Sequence, residues 1–353
     1  MGVKGTTSVT EAKHKGWGVL DPSKNETQGH LAALNLWRSQ SNMEAVYHLQ
    51  MWYEANRHLF DPPVCNKLMH KKQMTVMFVG GPNTRTDYHL DQGSEFFWMV
   101  KGNMELPTIQ QGVLKVVKIR EGEVFLLPSR VPHSPQRPEQ GSLGLVLERA
   151  RDEGASPPEV DGLRWYTDFE NPTEILWEKF FHCGDLGRDL VPVVKAFHAS
   201  AEKAAGRPSA QSVCTDEERP FVVDTTTAVP DPFSLDAWVA AHAEALASGA
   251  SLDLFNADAA EAGARHPDQE FRVMVCGGAE GGTVSERATN KGDTWIYQLR
   301  GAASVSVDGA DEINSQQLME GCGGVVPAGK PYVVSRSAGS VGLVITNDPM
   351  GNK

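Results

Sequence analysis

The chain has 353 residues, of which 40% are hydrophobic and 22% are charged, and its formal net charge at pH 7 is −12. These values favour a soluble globular protein large enough for two domains, and they exclude a largely disordered chain. The acidic balance argues against a nucleic-acid partner, which would require a basic surface.

The first 32 residues are predicted to form a flexible polar leader. They contain no hydrophobic stretch typical of a secretory signal, which argues against one. Gly2 and Thr6 match the M-G-x-x-x-[ST] pattern of N-myristoylation, although a plain polar leader explains the same residues. No apolar run approaches the roughly 18 residues of a membrane span, so no span is expected. The five cysteines form no C-x-x-C pair, which favours a reducing compartment, and we expect a cytoplasmic protein.

The segments after the leader predict a mainly β protein with flanking helices. Residues 42–60 predict an amphipathic helix, which the sequence DPP at 61–63 ends. Short apolar runs then alternate with Gly, Pro and Asn turns up to residue 151, which is typical of an all-β sandwich or barrel. Residues 174–205 predict helices, and the polar segment 206–220 predicts a linker.

The sequence beyond the linker repeats the first half. An amphipathic helix is predicted at 231–250, and the run FRVMVCGG (271–278) then repeats MTVMFVGG (74–81). The stretch EGCGGVVPAGKPYVVSRS (320–337) repeats EGEVFLLPSRVPHSPQRP (121–138). This internal duplication predicts two similar domains. The predicted organisation is a leader (1–32), a first domain with C-terminal helices (33–205), a linker (206–220) and a second domain (221–353).

The two copies differ where metal ligands could lie. Gly102 aligned with Gly301, and Pro128 aligned with Pro327, place three potential ligands of the first copy opposite residues that bind metal poorly or not at all: His89 opposite Ala288, Glu95 opposite Thr294, and His133 opposite Tyr332. We therefore predict a site in the first copy and a degenerate, non-catalytic second copy.

The ligand types in the first copy predict iron chemistry. Arg85, Asp87 and His89 alternate, so on a strand they would face one side, and Glu95 keeps the same parity. His133 would arrive from a later strand. Two imidazoles and one carboxylate leave up to three metal positions open, which is typical of non-heme Fe(II) oxygenases.

Two structural interpretations of neighbouring charges stay open. Arg85 and Asp87 could form a surface ion pair worth about 1 kcal/mol or less. Arg137 and Glu148 could form a structural pair that joins two strands.

Several stretches resemble a known family, the 3-hydroxyanthranilate 3,4-dioxygenases, in its long form with two cupin barrels. They are PPVCNKL (62–68), VGGPNTRTDYH (79–89), EFFWMVKGNM (95–104), IREGEVFLLPSRVPHSPQRP (119–138), GLVLERAR (144–151) and DGLRWYTD (161–168). Asp87 stands where many cupins have a first metal-binding histidine. The resemblance implies a β-barrel (jelly-roll) cupin fold.

The resemblance also implies an activity and roles for individual residues. The family opens the ring of 3-hydroxyanthranilate with O₂ and Fe(II), giving 2-amino-3-carboxymuconate semialdehyde, a precursor of quinolinate in NAD biosynthesis through the kynurenine pathway. The implied iron ligands are His89, Glu95 and His133. Arg85 would lie beside dioxygen, the substrate would contact Asn66, Glu95, Arg137 and Glu148, and Arg85 and Glu148 would take part in catalysis.

The sequence also fits two other classes of function. One is another metal-dependent cupin enzyme, such as an isomerase or a different dioxygenase. The other is a bicupin that binds or stores a ligand without turnover. For any of these we expect a monomer, because the two barrels can pair within one chain.

Overall fold

The computed structural model describes residues 42–60, 65–152, 154–256, 270–280, 283–309 and 315–347. All of them belong to one compact unit, Gln40–Lys353. The predicted leader and its myristoylation pattern lie outside the described residues. Within the described ranges, no helix is both long enough and apolar enough to cross a membrane.

The first half of the chain is dominated by strands, as predicted. They are β1 (Glu44–His48), β2 (Asn66–Lys71), β3 (Met74–Gly80), β4 (Tyr88–Leu90), β5 (Glu95–Lys101), β6 (Met104–Gln110), β7 (Val113–Ile119), β8 (Glu123–Leu127), β9 (Leu143–Arg149), β10 (Asp161–Tyr166) and β11 (Ile175–Phe181). The sheet β8-β5-β9-β3-β2 faces the sheet β4-β10-β11 and the hairpin β6-β7 across a barrel lumen.

The second half repeats this arrangement. Its strands are β12 (Phe233–Ser234), β13 (Ser251–Asp253), β14 (Phe271–Gly277), β15 (Val284–Thr289), β16 (Thr294–Arg300), β17 (Ala302–Val307), β18 (Gln316–Met319), β19 (Cys322–Val326), β20 (Pro331–Arg336) and β21 (Val341–Asn347). The order β19-β16-β21-β14-β13 reproduces that of the first sheet. Gly102 and Gly301 both adopt left-handed backbone, at φ 66° and 67°, so the aligned turns have the same conformation. The all-β, two-barrel prediction is confirmed.

Residues 42–60 are only partly helical, which corrects the prediction of a single helix. Glu44–His48 is a strand paired with β19, and helix Leu49–Asn56 follows it, with a 3₁₀ turn at Arg57–Leu59. The strand forms because its neighbouring side chains face opposite layers. Val46 packs inside the second barrel, and Tyr47 packs between the barrels, where its hydroxyl accepts a hydrogen bond from Trp295.

Residues 174–205 also begin with a strand instead of a helix. Ile175–Phe181 pairs with β10, because the alternate residues Leu176 and Glu178 are buried, as a strand period requires. The predicted helical content comes later, in a π-helical turn at Leu186–Leu190 and in helices Val191–His198 and Ala201–Ala205.

The predicted helix at 231–250 forms in two pieces, Leu235–Ala241 and Ala243–Ala247. The Oγ of Ser234 accepts a hydrogen bond from the backbone N–H of Ala237 and so caps the first piece. The prediction is confirmed apart from the break at His242.

The two barrels exchange edge strands. β1 precedes the first barrel yet pairs with β19 of the second, and β12 precedes the second barrel yet pairs with β8 of the first. After each exchanged strand, a helix begins at an equivalent residue. The backbone N–H of Leu49 donates to the carbonyl of Gly321 at 2.9 Å, and that of Leu235 donates to the carbonyl of Gly122 at 3.0 Å.

The main sheets also share an apolar core, in which the rings of Trp98 and Tyr297 lie 5.3 Å apart. The prediction that the two copies are separated by a linker at 206–220 stays a prediction.

Asp293 connects the barrels through hydrogen bonds. Its carboxylate lies 2.8 Å from His70 Nε2 and accepts from the backbone N–H groups of Met74 at 3.0 Å and Ala328 at 2.9 Å. Burial alone would raise the pKa of Asp293. The hydrogen bonds from His70 and from the backbone lower the pKa by more than burial raises it, so it lies below its ordinary value. The ionised form is therefore favoured by folding.

Asp293→Asn is expected to lower the free energy of unfolding by about 1–3 kcal/mol at pH 7, because a charged acceptor of several hydrogen bonds is lost. The wild-type advantage is complete above the ordinary Asp pKa of about 3.9 and disappears as the pH falls through the lower folded pKa. Urea unfolding of both proteins at pH 7 and at about pH 3 measures this difference. The matched control is Asp308→Asn, which removes an ion pair with Lys330 near the surface. The assignment would be contradicted if both variants lost the same free energy of unfolding. It would also be contradicted if the difference between wild type and Asp293→Asn were as large at about pH 3 as at pH 7.

Candidate active site

The three predicted ligands meet inside the first barrel. His89 lies on β4, Glu95 begins β5, and His133 lies in the turn after β8. One ligand atom from each side chain lies within 4.8 Å of the others, and all three residues are buried. Among the described residues, this is the one group of three or more His, Cys, Asp or Glu side chains with such spacing.

Backbone pairing fixes these positions. Glu95 shares its parity with Phe97 and Met99, which pack in the lumen of the first barrel, whereas Phe96 and Trp98 pack against the second barrel. A bridge joins the two histidine segments, because the N–H of His89 donates to the carbonyl of His133 at 2.7 Å and the reverse bond is 3.1 Å long.

The donor atoms fit a divalent cation. Nδ1 of His133 lies 2.9 Å from the carbonyl oxygen of Val131. Because that oxygen can only accept, Nδ1 carries the proton, and the lone pair of Nε2 is directed at Glu95. His133 Nε2 and Glu95 Oε1 lie 2.9 Å apart, yet neither has a hydrogen-bond partner of acceptable geometry among the described residues. Two buried lone-pair atoms that face each other in this way are what a metal ion would satisfy.

A carboxylate that sequence reasoning missed orients the third ligand. Asp161 Oδ2 lies 3.0 Å from Nε2 of His89, and both side chains are buried. Arg151 holds Asp161 through Nε at 2.5 Å and Nη2 at 3.0 Å, and its Nη1 lies 3.4 Å from Glu148. Arg151 thus connects the partner of one ligand with a predicted substrate residue. No local pattern marks Asp161, because it lies 72 residues from His89 in the chain.

Burial and charge set the protonation of the carboxylates. Burial raises the pKa of Glu95, but the two imidazoles lower it more, to about 2, so Glu95 is ionised. Burial and the charge of Glu95 together raise the pKa of Glu148 to about 7. Burial also lowers the pKa of Arg137 to about 10, which leaves its guanidinium charged at neutral pH.

Arg85 and Asp87 form an ion pair, but not at the surface. Both line the cavity, and Asp87 is only 4% exposed. The surface interpretation is therefore wrong. The pair lies in the loop before β4, since the strand begins only at Tyr88.

Arg137 and Glu148 are not paired with each other, so the structural-pair interpretation is also wrong within the described part of the chain. Arg151 is the ion-pair partner of Glu148, and Nε of Arg137 has no hydrogen-bond partner among the described residues. Both side chains line the cavity, and the Nε of Arg137 is available to bind a group in it. Asn66, at the start of β2, directs its amide towards the sulfur of Met77 at 3.9 Å.

A single cavity brings the predicted residues together. Its volume is about 1090 Å³, and the residues predicted from sequence all line it: Asn66, Arg85, His89, Glu95, His133, Arg137 and Glu148. Arg151, Asp161 and Cys183, which were not predicted, line it too.

In the second barrel, hydrogen-bonded side chains occupy the position equivalent to the candidate metal site. Ala288 pairs with Tyr332 across β15 and β20, as His89 pairs with His133 in the first barrel. The Nδ2 of Asn290 donates to Thr294 Oγ1 at 2.7 Å and to the Tyr332 hydroxyl at 3.0 Å. The aligned differences predicted from sequence are confirmed at this position.

Asp161→Asn is expected to weaken metal affinity by about 10–100-fold, because removing an outer carboxylate leaves the ligand imidazole less basic and less fixed. Calorimetric titration of the metal-free protein with Fe(II) under nitrogen measures the affinity directly. Asp231→Asn, at an exposed aspartate, is the control and should bind like wild type. Unchanged affinity in a folded Asp161→Asn protein would show that Asp161 does not orient His89.

Two barrels, one with a buried pair of histidines and a glutamate in its lumen, define a bicupin, and its described residues offer one candidate metal site. The sequence model of the family described as 3-hydroxyanthranilic acid dioxygenase matches residues 41–198. A 3-hydroxyanthranilate 3,4-dioxygenase of Nematostella vectensis is 43% identical over 86% of this chain and 99% of its own length. The rat enzyme of the same name is 40% identical over 88% of this chain and 99% of its own, and the human one is 39% identical over 311 residues. The chain belongs to the 3-hydroxyanthranilate 3,4-dioxygenase family.

Proposed function

We propose that the chain is an Fe(II)-dependent dioxygenase that converts 3-hydroxyanthranilate and O₂ to 2-amino-3-carboxymuconate semialdehyde. The product would close to quinolinate and so serve NAD biosynthesis. The observation that carries the proposal is the convergence of two imidazoles, a carboxylate and two arginines on one cavity in a member of this family.

His89, Glu95 and His133 would hold the iron. Fe(II), when bound, would supply Lewis acidity and one-electron chemistry, which ring cleavage by O₂ requires. The donor set supports iron because imidazole and carboxylate ligands suit Fe(II), and no cysteine belongs to the group.

The other residues would bind and orient the substrate. Arg137 would grip the substrate carboxylate, since a buried guanidinium can donate two parallel hydrogen bonds to it. Glu148, with a pKa of about 7, could accept the proton of the substrate hydroxyl and return it later. Arg85, held by Asp87, would stabilise the negative charge that builds on dioxygen as it is reduced. Asn66 would complete the pocket wall.

Oxygen consumption tests the proposal. Metal-free protein is loaded with Fe(II) under nitrogen, mixed with 3-hydroxyanthranilate, and exposed to O₂. We expect one O₂ consumed per substrate and an absorbing product near the ultraviolet–visible boundary, and neither without metal. Turnover without oxygen uptake would favour an isomerase, and binding without turnover would favour a storage protein.

The cytoplasm is the proposed compartment, and a monomer the proposed state. All five cysteines are free thiols, which supports a reducing environment. The shared core between the two main sheets supports pairing of the barrels within one chain. Light scattering during gel filtration tests the monomer, since a mass of twice 38.4 kDa would contradict it.

A further inference from the structure

Arg336 occupies, in the second barrel, the position that Arg137 occupies in the first. The alignment of Pro128 with Pro327 places the two arginines opposite each other, and Arg336 ends β20. Arg336 is 1% exposed and Arg137 is 2% exposed. The second barrel has thus lost the metal ligands but keeps a buried arginine, and the proposed dioxygenase activity gives that arginine no role.

One edge of the Arg336 guanidinium has no partner. Nε and Nη2 are both buried and make no hydrogen bond to any residue that the structure describes. Nη1 lies 3.5 Å from Oε2 of Glu286, whose side chain is 44% exposed. A buried guanidinium whose donors have no acceptor destabilises the folded state, so a compensating acceptor is expected beside it.

The neighbouring groups do not neutralise Arg336. The thiol of Cys276 is close enough to feel its charge, but burial raises the pKa of Cys276, so the thiol is neutral at pH 7. Glu286 is the described carboxylate that pairs with Arg336, and it contacts the other side of the guanidinium. The edge formed by Nε and Nη2 is therefore buried without a hydrogen-bond partner among the residues that the structure describes.

The shape of this edge suits a carboxylate. Nε–H and Nη2–H point in parallel from one side of the planar guanidinium, a spacing that matches the two oxygens of a carboxylate. We propose that Arg336 binds a small carboxylate anion, of the size of formate or bicarbonate, in the second barrel. This second site is independent of the proposed metal site.

The test uses the full-length chain with Arg137→Met, so that the equivalent arginine of the first barrel does not contribute. Calorimetric titration with formate and with bicarbonate should show saturable binding of one anion per chain. Adding Arg336→Met should weaken binding at least about 10-fold, because two charge-assisted hydrogen bonds are lost. Arg300→Met, which removes an arginine with a half-exposed side chain, should leave binding unchanged.

A second variant keeps the proposal testable if Arg336→Met does not fold. Glu286→Gln removes the competing negative charge but leaves the arginine, so it should tighten anion binding several-fold. Absence of saturable binding, equal binding of chloride, or unchanged binding in Arg336→Met or Glu286→Gln would each overturn the proposal.

Discussion

His133→Ala is expected to abolish both turnover and stable metal binding. His133 Nε2 and Glu95 Oε1 lie 2.9 Å apart without satisfactory partners among the described residues, so removal of the imidazole takes away one of three inward donors. Loss of an outer partner already costs about 10–100-fold in affinity, and loss of a direct ligand should cost more. Activity should therefore fall below about 1% of wild type.

Two measurements check this prediction. Metal content per chain after Fe(II) loading and desalting reports binding, and oxygen uptake with substrate reports turnover. His89→Ala should behave in the same way. His58→Ala, at an exposed histidine of the first 3₁₀ turn, is the matched control and should match wild type in both measurements. If His133→Ala or His89→Ala kept full activity, the ligand assignment would be wrong.

Arg137→Met is expected to weaken binding of 3-hydroxyanthranilate by about 100-fold, because two charge-assisted hydrogen bonds to the substrate carboxylate are lost. Arg137 is buried and charged, and its Nε has no described hydrogen-bond partner, so it is ready to bind an anion. Methionine keeps much of the side-chain length and removes the charge.

A substrate analogue separates recognition from general damage. 2-Aminophenol has the hydroxyl and the amine but no carboxylate, so wild type and Arg137→Met should bind it equally. Anaerobic titration of the metal-loaded proteins compares the two ligands. Arg120→Met, at an exposed arginine, should change neither affinity. Equal weakening for both ligands would place Arg137 in general packing instead of carboxylate recognition.

The features of the fold that could be predicted are the ones that local sequence determines. The turns at Gly102 and Gly301 require left-handed backbone, and the duplicated runs around them show that the second barrel copies the first. Strand parity placed Glu95 in the lumen and Glu148 beside it, and both line the cavity. All these residues lie on or next to strands whose ends are marked by Gly or Pro.

The features that could not be predicted depend on contacts between distant segments. β1 is a strand only because the edge of β19 accepts it, and a five-residue stretch next to a helix carries no sign of that partner. Asp161 reaches His89 because β10 pairs with β4, and Arg151 follows from that pairing. In β1, tertiary pairing overrides the helical pattern of the local sequence.

The exchange of β1 and β12 gives the second barrel a structural role that does not depend on metal ligands. Each half borrows its outermost strand from sequence that precedes the other half. A shortened protein without the C-terminal copy would lack β12. The edge of β8 would then be unpaired, and an unpaired strand edge promotes self-association. The second copy is therefore needed to complete the first barrel, even though hydrogen-bonded side chains stand where the first barrel has its candidate ligands.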